Sequence, residues 1–154
     1  MKKVLLLLLF SVNCLAQVNN FVLKNDDVVW ENVFITDQKN IPELITQHPK
    51  LKIVSSTGAV YKGRGFEIKH TCQDSPSYMT NELNFDFEIE LAEGKYRVTV
   101  YNIQYTEREK VNIKHYTSER KTLKSDKETI TALNCLDSYF NKLFTLATLY
   151  KNKL

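Results

Sequence analysis

Between Leu83 and Leu91 apolar and polar residues alternate without a break: Leu83, Phe85, Phe87, Ile89 and Leu91 are separated by Asn84, Asp86, Glu88 and Glu90. A period of two is the mark of a strand with one buried and one wet face. Glu93-Gly94 then supplies a two-residue turn. That turn sets Leu91 against Tyr96, Ile89 against Val98 and Phe87 against Val100, and it places Glu90 opposite Arg97 and Glu88 opposite Thr99 on the other face. A slip of one residue would put Glu90 against Tyr96 and misalign the apolar set. Alternation and turn therefore specify the same hairpin over Asn81 to Thr106. If the alternation runs on, Arg97, Tyr101, Ile103 and Tyr105 share the wet face.

The chain on either side follows the same logic. Phe21-Val22-Leu23 reads as a short strand, and Val28 to Thr36, apolar on both faces, as a strand interior to a sheet. Asn40 as N-cap, Pro42 in the first turn and Glu43 at the capping-box position predict a short helix ended by Pro49, with Ile41, Leu44 and Ile45 inward. Leu51 to Ser56 and Ala59 to His70 form a second hairpin turning at Thr57-Gly58. The glycines of Lys62-Gly63-Arg64-Gly65 imply a bulge or a close backbone approach in its return strand. They lack the spacing and the following helix of a phosphate-binding loop. His70 to Thr80 is a loop. Glu107 to Lys124 is dense in charge, with an alternation at Val111, Ile113 and His115 that suits an edge strand. A long helix closes the chain, with Ser125 and Glu128 as a capping box. Its apolar stripe is Leu133, Leu136, Phe140, Leu143, Phe144, Ala147 and Tyr150. The order strand, helix, four strands, helix makes an α+β domain, the terminal helix lying against the sheet.

The first residues change the reading of the rest. Met1-Lys2-Lys3, the apolar run Val4 to Phe10 and the small residues before Gln17 read as a cleavable export signal over residues 1–16. The apolar run is too short to span a bilayer, so no transmembrane anchor is expected once it is removed. Cys14 lacks the flanking residues of a lipoprotein cysteine. Cleavage leaves residues 17–154 as one domain in the periplasm or outside the cell. It also removes two lysines, bringing the net charge of +3 close to neutral, which gives no electrostatic case for nucleic acid. An oxidising compartment permits a disulfide between Cys72 and Cys135, with two unpaired thiols as the alternative.

The export signal, Val28-Val29-Trp30-Glu31-Asn32-Val33-Phe34, Gly63-Arg64-Gly65-Phe66 and the run from Phe87 to Arg97 resemble a family of exported bacterial domains of unknown function with a fold like that of the TATA-box-binding protein. The resemblance implies a curved antiparallel sheet of about five strands (β-α-β-β-β-β-α) with its helices on one face. It implies no activity, and a shared fold does not carry DNA binding with it.

Chemistry is sparse. His48, His70 and His115 are scattered, with no acidic residue at triad spacing. His70 and Cys72 alone are too few for a zinc site. Asp86, Glu88 and Glu90 sit on a strand's wet face, where a solvated row is the ordinary outcome. We therefore expect no cofactor, no metal and no catalysis. The expected function is a protein-binding or structural module whose partner is an envelope or extracellular protein, contacted through Arg97, Tyr101, Ile103 and Tyr105. The alternative is a carrier holding a small apolar ligand between sheet and terminal helix, lined by Phe85, Phe87, Phe140 and Phe144.

Overall fold

The alternating hairpin becomes the middle of the sheet. In the computed structural model, which describes residues 19–69, 82–106, 116–119 and 122–146, the chain runs β1 (Phe21–Lys24), β2 (Asp27–Ile35), α1 (Ile41–Ile45), β3 (Leu51–Thr57), β4 (Val60–Ile68), β5 (Leu83–Ala92), β6 (Lys95–Tyr105) and α2 (Lys127–Phe144). The strands form one antiparallel sheet in the order β1-β2-β6-β5-β4-β3. Leu91 faces Tyr96, Ile89 faces Val98 and Phe87 faces Val100, the expected register. The sheet has six strands rather than about five, because Phe21–Lys24 pairs fully with β2. Asn25 and Asp26 make that pairing tight. Both sit at positive φ (49° and 64°), the primed-turn geometry that matches strand twist and that Asn and Asp tolerate.

One face of the sheet is dry. Val28, Trp30, Phe85, Phe87, Ile89, Tyr96, Val98 and Val100 are buried on it against Leu133, Leu136, Phe140, Leu143 and Phe144 of α2 and Ile41, Leu44 and Ile45 of α1. Polar groups fix where α2 lies on this face. The Asp137 carboxylate oxygen Oδ1 accepts from the Trp30 indole N–H at 2.8 Å, the Asn20 backbone N–H at 3.1 Å and the Asn20 amide at 2.9 Å. Asn32 donates to Asn141 one turn further along. At the far end the buried Tyr96 hydroxyl donates to the Phe144 carbonyl at 2.7 Å, satisfying one of the carbonyls a helix leaves open at its C-terminus. Burial raises the pKa of that hydroxyl.

The caps differ from their sequence signals. The N-cap of α2 is Asp126 rather than Ser125. Its carboxylate accepts from the Thr129 backbone N–H at 2.9 Å and the Thr129 hydroxyl at 2.7 Å, and these bonds hold its pKa below the usual carboxylate value. Asn40 precedes α1, yet its side chain makes no capping bond, and the helix ends at Thr46 rather than running to Pro49. The β3–β4 turn is Gly58-Ala59, one residue later than expected, since Thr57 pairs with Val60. Ala147 and Tyr150, the loop His70 to Thr80 and the alternation at Val111, Ile113 and His115 lie outside the described residues.

Gly63 and Gly65 face the interior, where the rings of Phe87 and Phe85 lie directly on bare backbone. A Cβ at Gly63 would fall 2.2 Å from Phe87 Cζ and 2.6 Å from the Lys52 carbonyl, and one at Gly65 would fall 2.4 Å from Phe85 Cζ. The close approach expected of these glycines is therefore present. The bulge comes just after them, between the pairs Gly65–Phe85 and Ile68–Leu83, with Glu67 at φ 49°. Gly65→Ala is expected to destabilise the fold by about 1–3 kcal/mol through overpacking. Because the three atoms nearest that Cβ all belong to the Phe85 ring, Phe85→Leu in the same chain should recover part of that loss. Denaturant unfolding of the two single variants and the double variant measures the coupling, and strict additivity would exclude the ring as the obstacle.

Candidate functional site

The second face of the sheet carries no helix among the described residues. Its outward side chains form a lattice of alternating charge across neighbouring strands. Lys24 pairs with Glu31 at 2.6 Å, Lys62 with Glu88 at 3.2 Å, Arg64 with Asp86 at 3.1 Å and Arg97 with Glu90 at 3.4 Å. Thr99 donates its hydroxyl to Glu31 at 3.3 Å, tying β6 to β2. Tyr101 stands near the middle, half-buried. Burial first, and then the negative charge of Asp86, raises its pKa above 10.

The four residues expected on this face do not stay together. Arg97 and Tyr101 are on it, whereas Ile103 and Tyr105 are 0% and 1% exposed, in the core. A bulge separates the pairs. Asp86 faces Tyr101 and Asn84 faces Gln104, so Phe85 stands opposite two residues of β6, and Asn102 takes φ 53°. The extra residue reverses which side chains point inward for the rest of the strand. A signal was present in the sequence: the inward apolar positions Tyr96, Val98 and Val100 are followed by Ile103 and Tyr105, a step of three where alternation needs two.

The two bulges, at Glu67 in β4 and Asn102 in β6, flank the same stretch of β5. Asn84 Oδ1 accepts from the Glu67 backbone N–H at 2.8 Å, and Asn102 Nδ2 donates to Asp86 Oδ2 at 2.8 Å. Between them the outer face dips into a groove of about 690 Å³ that reaches from Lys52 and Val54 on β3, past Phe66 on β4, to Gln104 on β6. Lys50 and Lys52 hold their ammonium groups 5.8 and 5.0 Å from the Phe66 ring centre. Alternation alone did not indicate this groove.

A solved structure of a DUF4468 family protein from Bacteroides ovatus is similar to this chain with a TM-score of 0.52 at 14% identity, covering 87% of this chain and 90% of that one. A TBP-like protein from Parabacteroides distasonis is similar with the same TM-score at 10% identity, covering 84% of this chain and 94% of that one. The fold is TBP-like. At these identities the likeness concerns the fold alone. No protein-family model matches the chain, and no curated protein does.

On the dry side of this TBP-like sheet, the four rings expected to line a ligand cavity are in contact with one another. Phe85 meets Phe140 at 5.2 Å and Phe144 at 6.4 Å between ring centres, and Phe87 meets Phe144 at 5.5 Å. They form continuous core, the close packing ordinary for an interior, where the carrier reading required a space. Cys135, half-buried on α2, is disulfide-bonded, and its partner lies outside the described residues, as do Cys14 and Cys72. No group of metal-ligating side chains occurs among the described residues, and no described helix is long and apolar enough to cross a membrane.

The bulge separates the two tyrosines by consequence as well as by place. Tyr105→Ser should destabilise by about 3 kcal/mol or more, the cost of truncating a large core side chain, while Tyr101→Ser should stay within about 1 kcal/mol. Thermal and denaturant unfolding of both variants checks this. Equal losses would mean that Tyr101 also belongs to the core.

Proposed function

We propose that the protein is an exported, non-enzymatic module of the periplasm or extracellular space that presents the open face of its sheet to a protein partner, with Arg97 and Tyr101 at the centre of the contact. The observation that supports this most is the half-buried Tyr101 set among paired charges on the face that carries no helix among the described residues. Large amphipathic rings beside guanidinium groups are the usual anchors of interfaces. Charges already ordered by their neighbours form a rim that favours one orientation of a partner over others. Ile103 and Tyr105 stabilise this face from below and take no part in contact. The near-neutral charge after removal of Lys2 and Lys3 argues against nucleic acid as the partner.

Two measurements test the reading. Intact mass of the protein recovered from the exporting cell should begin at Gln17, and a retained Met1 or a lipid-modified Cys14 would overturn the export assignment. A photo-reactive amino acid placed at Tyr101 in producing cells should yield a discrete cross-linked protein. The same probe at Ser138, exposed on α2, should yield none. Equal capture at both sites, or none at Tyr101, would remove the open face as the contact surface.

A further inference from the structure

We infer that the groove at Phe66 is a saccharide-binding site. This goes beyond the protein contact at Arg97 and Tyr101, since neither residue lines the groove. The argument starts from what its polar groups have left to offer. The Asn84 amide uses its oxygen on the Glu67 backbone N–H, and the Asn102 amide uses its nitrogen on Asp86. Asn84 therefore keeps a donor and Asn102 an acceptor, and the Gln104 side chain makes no hydrogen bond among the described residues. A sugar hydroxyl both donates and accepts. Vicinal hydroxyls are matched by a planar group that presents a donor and an acceptor side by side, as the uncommitted Gln104 amide does, while Asn84 and Asn102 add one donor and one acceptor.

Charge and shape point the same way. Lys50 is paired with Glu67 at 2.8 Å and Arg64 with Asp86, which leaves Lys52 as the lining cation with no ion pair among the described residues. The lining thus carries about one net positive charge, too little to hold a polyanion and compatible with a neutral sugar. Phe66 supplies a partly exposed ring beside the amides, shared with the Lys50 and Lys52 ammonium groups, a combination of apolar surface and few convergent polar groups expected of a ligand site. The groove is also built. Two non-glycine residues, Glu67 and Asn102, are held at positive φ on either side of it, and backbone held in sparsely populated regions gathers at ligand clamps. About 690 Å³ suits a short oligosaccharide lying along the surface.

The test is titration of the ¹⁵N-labelled protein with cellotriose, chitotriose and maltotriose, followed by amide chemical shifts. At least one of the three should give saturable shifts centred on Phe66, Asn84, Asn102 and Gln104 at concentrations of about 1–10 mM. Asn102→Gly keeps the positive φ while deleting the amide, and Gln104→Ala removes the uncommitted one. Each should weaken binding about two- to tenfold, the loss of one or two hydrogen bonds, with folding verified by the spectrum itself. Phe66→Ala should abolish saturation. Absence of shifts with all three probes, shifts centred on Arg97 and Tyr101 instead, or full binding by folded Phe66→Ala would each overturn the site. The outcome is independent of cross-linking at Tyr101, so the two readings fail separately.

Discussion

The seating of Phe85 and Phe87 on bare backbone is the constraint from which the rest of the architecture follows. A side chain at Gly63 or Gly65 would lift those rings off β4 by the space of a methyl group. With the rings down, Phe140 and Phe144 come into edge contact with them. The ring of Trp30 reaches Phe140 from the next strands over, at 5.4 Å, and its N–H meets Asp137. Core packing tolerates little change in volume, so two missing Cβ atoms in one strand decide how near α2 can approach the dry face of the sheet.

The faces use different physics. The inner face is held by burial and by a few polar bonds that fix where α2 lies. Each outer ion pair is worth little in stability, since exposed pairs contribute about 0–1 kcal/mol. Their importance is geometric: opposite charges on adjacent strands hold long side chains in a set arrangement around Tyr101 and leave few of them uncompensated. Truncating an outer charge should thus reshape the surface more than it weakens the fold.

The hairpin of β5 and β6 was legible because alternation and a two-residue turn agreed on one register. Legibility ended at Asn102. An asparagine inside a strand pattern looks the same whether its φ is negative or positive, and the consequence was that Ile103 and Tyr105 were read on the wrong face while Arg97 and Tyr101 were read on the right one. The cap of α2 was missed by one residue because Ser125 and Asp126 are both good N-caps, and only the bonds to Thr129 distinguish them. β1 is four residues long, too short for its period to count as a pattern, so its pairing emerged only with the Asn25-Asp26 turn. The glycines in β4 were read correctly as a close approach because a missing side chain has few explanations inside a strand. The groove beside them needed the two bulges to be known first.

The element that covers the sheet comes last in the described chain. While the chain is being made, β1 to β6 can pair, but Trp30, Phe85 and Phe87 lack the α2 side of their packing until that helix emerges. Such a half-covered sheet is a sticky species that holdase chaperones recognise. Completion of the native state is then coupled to release of the C-terminal segment: the dry face closes in one late docking step, clasped at Asp137 and at the Tyr96 hydroxyl.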